Sequence, residues 1–505
     1  MAPSQGRMNS TFTRLPRHGF TDPPAARRLL DALELAGVRG DSVLLDGLGA
    51  TVDPDLALRG LVRLIEALPE IPEGGDAKEG AESRQALLDT LVTTKPLRDR
   101  LLGVLGASGA LGDHLARHPH DWHALATCRP GGLRPALTEF EQALAEGIWG
   151  EAGTGMPRPD ALRVAHRRAL LAITARDVCG TTDVTQTAAE LADLATATLR
   201  AALEIAAEER PEDAAACRLA VIGMGTCGGR ELNYVSDVDV IFVTEAIDGV
   251  EESEAVRAAT SLASRLMRIC SDVTVEGTIW PVDADLRPEG RDGPLVRTLS
   301  SHAAYYRRWA RTWEFQALLK ARPVAGAPGL GERFLELIDP LRYPPRGLDE
   351  DAVREIRRLK ARMESERLPR GADPTTHTKL GRGGLSDVAW TVQLLQMRYG
   401  RAEPGLRTTR TRRALAAAHA AGLIGRDDAR TLDEAWVLAG RVRNGVMLVR
   451  GRPGDTFPSD ARELAAVARY LGYGPGRAGE MLDDYRRTTR RARAVMERLF
   501  YDSER

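Results

Sequence analysis

The spacing of apolar residues predicts helices from about Pro23 to Leu125 and again from Ser300 to the C-terminus. In AARRLLDALELAG and RQALLDTLVTTKPLRDRLLGVLG, apolar residues recur every three or four positions, as they do on one face of a helix. The same spacing continues through SHAAYYRRWARTWEFQALLKARPVAG. Two polar stretches that contain glycine, Glu70–Arg84 and Gly147–Asp160, are predicted to be loops.

A different pattern occupies the middle of the chain. The segments RLAVIGMG and DVDVIFVTE are short and rich in β-branched residues, and GTIWPVDADLRPEG alternates in part with period two. Between the second and third of these segments, EESEAVRAATSLASRLMRICSD has helical spacing. The predicted fold is therefore mainly α, multidomain, with a small α/β core built on a mixed sheet.

Composition narrows the classes of partner. The 70 Lys and Arg residues balance the 71 Asp and Glu residues, so the net charge of -1 attracts neither nucleic acid nor an anionic membrane as a whole. The first residues lack the apolar core of a signal peptide, and no apolar run is long enough to span a bilayer. The cysteines show neither disulfide nor zinc-ligand spacing. We expect a cytoplasmic protein that binds neither nucleic acid nor membrane.

The stretch VIGMGTCGGRELNYVSDVDVIFV carries the strongest chemical signal. Asp237 and Asp239 are two positions apart in a predicted strand, so their side chains project from the same face. Two adjacent carboxylates raise each other's pKa unless a cation lies between them. Mg²⁺ is the natural cation, because it prefers oxygen ligands and bridges carboxylates to phosphates.

Two further features surround this pair. Gly225, Gly228 and Gly229 form a turn after a strand, where backbone N–H groups can cradle phosphate oxygens. A later β-rich segment carries Asp283. Three such carboxylates can hold two metal ions that position an oxygen nucleophile and a nucleotide phosphate for in-line transfer. Each motif alone is weak, but together they predict a nucleotidyltransferase active site with Asp237, Asp239 and Asp283 as catalytic metal ligands.

These residues also carry a family resemblance. GMGTCGGRELNYVSDVDVIFV closely resembles the signature of glutamine synthetase adenylyltransferase/adenylyl-removing enzymes, within the DNA polymerase β-like nucleotidyltransferase superfamily. VDADLRPEGRDGPLVRT and KLGRGGLSDVAWTVQLLQ resemble further family blocks in the same order. The resemblance implies transfer of AMP to or from a tyrosine of glutamine synthetase, with Mg²⁺ as cofactor. ATP would serve addition, and phosphate would serve removal and give ADP. A PII signal protein is a second candidate partner.

Two positions depart from the family pattern. Thr226 stands in the glycine turn where the family usually has Lys, and Ala389 stands where it usually has Glu. These departures leave open a regulator that binds glutamine synthetase or a PII protein without turnover. A nucleotidyltransferase that uses another acceptor is a further alternative.

The resemblance also suggests how the chain is divided. Family members normally contain an adenylyl-removing half and an adenylyl-transferring half. We expect an N-terminal helical domain over 1–125, a nucleotidyltransferase core over 126–325 that resembles the removing half, and a helical domain over 326–505 that resembles the transferring half. The changeover near WEFQALLKARPVAG, which both halves share, suggests an internal deletion that fused them, and sequencing of the locus tests this hypothesis.

Several residues around this site allow two interpretations. Lys320 resembles a family position near the nucleotide, but an exposed cationic helix face explains it equally from the sequence. Arg287 either faces the site or pairs within a loop, and Asp285 is a secondary acid. Ser236 either shapes the turn or binds a phosphate. The second glycine turn, Lys379–Val388, either closes over the nucleotide or simply begins a helix.

Overall fold

A computed structural model describes residues 15–35, 42–69, 84–126, 135–150, 153 and 155–502. The predicted loop at Glu70–Arg84 lies outside these residues except for its last position, and part of the predicted loop at Gly147–Asp160 does as well. The α-helices of the described part are α1 Pro23–Leu35, α2 Ser42–Gly49, α3 Pro54–Ala67, α4 Arg84–Thr93, α5 Lys95–Ala107, α6 Gly109–Arg117, α7 Leu137–Trp149, α8 Arg158–Val178, α9 Val184–Glu209, α10 Pro211–Ala216, α11 Gly225–Gly228, α12 Glu252–Ser271, α13 Leu299–Arg308, α14 Thr312–Ala317, α15 Pro328–Arg342, α16 Glu350–Glu366, α17 Leu385–Tyr399, α18 Thr411–Ala420, α19 Arg426–Arg450, α20 Ala461–Tyr470 and α21 Ala478–Met496.

One sheet contains the described strands, which are β1 Cys217–Gly223, β2 Val238–Ala246, β3 Val282–Asp283, β4 Val296–Thr298 and β5 Arg322–Gly326. The strand order is β3-β2-β1-β5, and β4 also pairs with β2. Strand β1 runs antiparallel to β2 and β5, whereas β3 and β4 run parallel to β2. The fold is mainly α with a small mixed sheet, as the sequence predicts.

The helical prediction from Ser300 onward was wrong at one segment. Residues Arg322–Gly326 form β5, whose pairing with β1 supplies backbone hydrogen bonds that a helix would have satisfied internally. Pro323 lies inside this segment and favours the extended conformation, because proline is poorly tolerated in a helix interior. The apolar pattern there reflects burial in the sheet rather than a helix face.

The chain divides into two compact units, each made of the described residues within discontinuous ranges. The first takes Met1–Leu133, Arg167–Asp183 and Asn444–Met481, and the second takes Arg134–His166, Val184–Arg443 and Leu482–Arg505. The division that the sequence suggests, with boundaries at 125 and 325, stays a prediction.

The first unit is a helical assembly around a leucine-rich core. Leu58 and Leu61 of α3 and Leu101 and Leu105 of α5 are buried in the same apolar cluster. Helix α3 begins where the Asp53 carboxylate accepts a hydrogen bond from a backbone N–H of the first turn, which satisfies one of the unpaired amides of a helix start.

The second unit contains the sheet and the candidate site. Ile222 of β1 and Ile241 and Val243 of β2 pack in one cluster with Phe334 and Ile338 of α15. Helix α12 also contacts β1 and β2, so helices cover the sheet that carries the glycine turn and the acidic residues. No described helix combines the length and the apolar composition that a membrane span requires.

Candidate active site

The register between β2 and β3 brings the three predicted aspartates together. Asp237 immediately precedes β2, Asp239 lies within it, and Asp283 ends β3. The two strands are parallel and pair Asp239 with Asp283 directly. One carboxylate oxygen from each of the three residues lies within 4.8 Å of the others. Such a set of hard oxygen donors suits a divalent cation.

Crowding and burial perturb the central carboxylate. The pKa of Asp239 is raised to about 7, chiefly because the group is buried and then because the charges of Asp237 and Asp283 repel its ionised form. The other two carboxylates each accept a hydrogen bond from a neighbouring group. The backbone N–H of Asp285 donates to Asp283 Oδ1 at 2.7 Å. The Ser236 hydroxyl donates to Asp237 Oδ1 at 3.3 Å. A bound cation would remove this repulsion, so the donors fit Mg²⁺ electrostatically as well as chemically.

The glycine turn lies directly against the acidic cluster. The backbone N–H of Met224 donates to the carbonyl of Asp239 at 2.8 Å. Gly225 follows with a φ of +50°, and a Cβ added there would lie 2.2 Å from Asp239 Oδ2. Both the backbone conformation and the close approach therefore require glycine at this position.

The other two glycines act differently. The N–H groups of Gly228 and Gly229 donate to carbonyls within the turn, at 2.8 and 3.0 Å. A Cβ on Gly228 would lie 1.9 Å from the carbonyl oxygen of Lys320. Because these two residues have no side chains, the turn packs closely against its neighbours. The N–H groups that lack an acceptor within the helix are instead those at the start of α11.

Lys320 lies beside the turn with every N–H of its ammonium group engaged. Its Nζ donates to Glu231 Oε2 at 2.7 Å, to the Thr409 carbonyl at 2.7 Å and to Thr411 Oγ1 at 2.9 Å. An ammonium has three donors, so this buried lysine has none left for a phosphate in this conformation. The structure gives Lys320 the contacts of an anchor between the glycine turn and the start of α18.

The structure likewise places Arg287 in the scaffold of its own loop. Its guanidinium donates to the carbonyls of Ala284, Gly293 and Arg291 at 2.9, 3.1 and 3.1 Å. It also lies 3.7 Å from the carboxylate of Asp285. These contacts match the structural alternative that the sequence leaves open for this residue.

A cleft of about 710 Å³ opens beside the acidic cluster. Its walls combine aspartates from β2, β3 and the loop after β3 with side chains from α14, α16, α17 and the residue after α16. The lining residues are Asp239, Asp283, Asp285, Leu286, Trp313, Gln316, Ala317, Leu359, Arg362, Met363, Glu366, Arg367, Trp390 and Gln393. Sequence reasoning missed the residues of α16, because its amphipathic spacing indicates only that one face packs against the protein. The sole signal was that Leu359, Met363 and Glu366 recur at helical spacing on one face.

The second glycine turn contributes to the same region. The ammonium of Lys379 lies close enough to Asp239 to lower the pKa of that carboxyl, against the larger effect of burial. Gly383 has a φ of +72°, and its N–H donates to Asp387 Oδ2 at 2.7 Å. The buried Asp387 also accepts hydrogen bonds from Lys360 and Arg493. The turn thus begins α17, as one alternative predicts, and also carries a cation toward the aspartates.

The sequence is also similar to those of known proteins. Residues 98–337 match the family model described as glutamate-ammonia ligase adenylyltransferase, and residues 357–500 match the one described as GlnD PII-uridylyltransferase. Bifunctional glutamine synthetase adenylyltransferase/adenylyl-removing enzymes of Streptomyces avermitilis and Streptomyces coelicolor are each 55% identical over 98% of the chain, which covers 47% and 48% of their own lengths. The one from Mycobacterium tuberculosis strain H37Rv is 43% identical over 96% of the chain, which covers 49% of its length. The chain thus spans about half the length of these curated relatives.

Proposed function

Because the chain belongs to the family of bifunctional glutamine synthetase adenylyltransferase/adenylyl-removing enzymes, we propose that it moves an adenylyl group to or from a tyrosine of glutamine synthetase. In the addition reaction, the tyrosine hydroxyl attacks the α-phosphate of ATP and pyrophosphate leaves. In removal, inorganic phosphate attacks the same phosphorus, the tyrosine oxygen leaves, and ADP forms. The observation that carries the proposal is the convergence of three carboxylates within 4.8 Å.

In this proposal Asp237, Asp239 and Asp283 hold Mg²⁺. The cation supplies charge neutralisation of the phosphates and makes the attacking oxygen a better nucleophile. The chain itself positions these groups: the β2–β3 pairing aligns two of the carboxylates, and Gly225 lets the turn approach them. No covalent intermediate on the protein is needed for either direction.

We assign the phosphates to the glycine turn and its surroundings. Gly225 keeps the turn free of a side chain where it meets Asp239, Gly228 and Gly229 let the turn pack against Lys320, and Ser236 steadies Asp237 through its hydroxyl. The engaged ammonium of Lys320 makes that residue a positioning group, which ties the turn to α18.

A mass measurement on the acceptor tests this function. The protein is mixed with unmodified glutamine synthetase plus MgATP, and separately with adenylylated glutamine synthetase plus Mg²⁺ and phosphate, and the subunit mass is followed. We expect a gain or loss of one adenylyl group, abolished by Asp237→Asn. Asp248→Asn, an exposed turn variant, serves as the matched control. An unchanged subunit mass in every mixture would refute the enzymatic proposal.

A second candidate is a regulator that binds glutamine synthetase or a PII signal protein without turnover. Thr226 and Ala389, where the family usually has Lys and Glu, favour it, as does the match of residues 357–500 to a PII-uridylyltransferase model. Calorimetry separates the two: MgATP binding and complex formation without any change in acceptor mass would support the regulator. Turnover with a different acceptor protein would instead support a nucleotidyltransferase of other specificity.

A further inference from the structure

Two arginines of the acidic cleft have no partner for their charge within the part of the chain that the structure describes. Arg362 lies on α16 and Arg367 directly follows it, and both line the cleft together with Asp239 and Asp283. Both side chains are exposed, and neither guanidinium has a hydrogen-bond or ion-pair partner among the residues that the structure describes. Glu366 lines the same wall, yet it forms no ion pair with either arginine within that part of the chain.

A third cation approaches from the second glycine turn. Lys379 is exposed, and its ammonium acts electrostatically on Asp239. It makes no side-chain hydrogen bond or ion pair within the described ranges. The two arginines that line the cleft and this lysine therefore come from the region of the chain that follows the sheet.

The other cations near the site are already committed to the fold. The ammonium of Lys320 uses all three donors on protein acceptors, and Arg287 is held by three carbonyls. Arg291 pairs with Asp285, and the glycine turn itself has the uncharged Thr226. A polyphosphate that bound beside the three carboxylates would carry more negative charge than the bound metal neutralises. The remaining charge would therefore need cations other than Lys320, Arg287 and Arg291.

One buried ion cluster joins the helix that bears Arg362 to the turn that bears Lys379. Lys360, two residues before Arg362 on α16, donates to the buried carboxylate of Asp387 in the first turn of α17. Asp387 also accepts the N–H of Gly383, in the turn that carries Lys379. The helix that bears the arginines and the turn that bears the lysine thus share one partner, which fixes their mutual position.

Building on the function proposed above, we propose that Arg362, Arg367 and Lys379 bind the phosphates of the nucleotide, so that the helical region after the sheet completes the active site. A guanidinium is suited to this role, because it presents paired donors that match phosphate oxygens.

Nucleotide titrations without any acceptor protein test this assignment. Binding of MgATP and of adenosine is measured by calorimetry for the unmodified protein and for Arg362→Gln, Arg367→Gln and Lys379→Gln. Each variant should bind MgATP about tenfold more weakly, because a charge-assisted hydrogen bond is lost, while adenosine binding stays unchanged. Arg358→Gln, exposed on the same helix but outside the cleft, and Lys95→Gln are the matched controls and should bind MgATP normally.

The outcomes separate this inference from the function beneath it. If the unmodified protein binds MgATP and all three variants bind it equally well, the phosphate assignment is overturned and the proposed function stands. If the unmodified protein binds no MgATP, the phosphate assignment and the addition reaction both fall, whereas the removal reaction, which uses inorganic phosphate, is decided by the subunit mass of adenylylated glutamine synthetase. Equal weakening of MgATP and adenosine would also overturn the assignment, because a phosphate contact cannot act on a nucleoside. As a second measurement, MgATP affinity should depend less on salt in each variant than in the unmodified protein.

Discussion

Replacing Asp239 by asparagine probes the electrostatic strain in the acidic cluster. Without metal, the folded-state pKa of Asp239 is about 7 against an ordinary value of 3.8. A folded-state pKa raised above the unfolded value means that ionisation opposes folding. The protein therefore loses stability as pH rises from about 4 through about 7, and the full loss is present above that range. Asparagine carries no charge, so the variant escapes this loss.

The magnitude follows from the size of the pKa shift. About three pKa units correspond to roughly 4 kcal/mol of unfolding free energy, an upper bound because relaxation and solvent reduce it. Part of this loss is already present at about pH 5, so we expect the stability difference between Asp239→Asn and the unmodified protein to grow by about 2–3 kcal/mol between about pH 5 and pH 8 in EDTA. The change with pH isolates the charge from other effects of the substitution.

Urea unfolding followed by tryptophan fluorescence measures this difference. Six of the seven tryptophans, all but Trp122, lie in the compact unit that contains the acidic cluster, so the signal reports mainly on that unit. Mg²⁺ should stabilise the unmodified protein and should stabilise Asp239→Asn much less. Asp248→Asn, an exposed substitution of the same kind, should show the same pH dependence and the same stabilisation by Mg²⁺ as the unmodified protein.

Two results would refute the reasoning. A stability difference between Asp239→Asn and the unmodified protein that does not change with pH would show that the carboxylate is not strained. Equal stabilisation of the two proteins by Mg²⁺ would show that Asp239 is not a metal ligand.

Three further substitutions test the scaffold of the site. Gly225→Ala should abolish Mg²⁺-dependent stabilisation, because its Cβ collides with a carboxylate, whereas Gly180→Ala, also at positive φ but in open space, should only lower stability by about 1 kcal/mol. Lys320→Met should cost about 3 kcal/mol in urea unfolding, because Glu231 loses its cation, and adding Glu231→Gln should recover part of that loss. Lys360→Met should cost a similar amount, about 3 kcal/mol, and no loss of stability would contradict the buried ion cluster.

Local patterns anticipated the elements that build the site. The helical spacing of EESEAVRAATSLASRLMRICSD corresponds to α12, and the β-rich RLAVIGMG and DVDVIFVTE correspond to β1 and β2. The partial alternation in GTIWPVDADLRPEG yields only the two residues of β3. Strand β4 at Val296–Thr298 and strand β5 were not anticipated, because such short strands are stabilised by partners distant in sequence rather than by a pattern of their own.

The sequence by itself determined the chemistry at the start of β2, because a period of two sets Asp237 and Asp239 on one face whatever surrounds them. It also determined the glycine turn, since glycine adopts the positive φ found at Gly225 without the strain that a side chain brings. Tertiary structure alone decided that Asp283 joins the pair, because that depends on the register between two strands far apart in the chain. It also decided that Lys320 is fully engaged, and that Arg362 enters the cleft without an ion-pair partner among the described residues. Hydrogen-bond partners and helix packing between distant segments set both outcomes, and no local spacing encodes them.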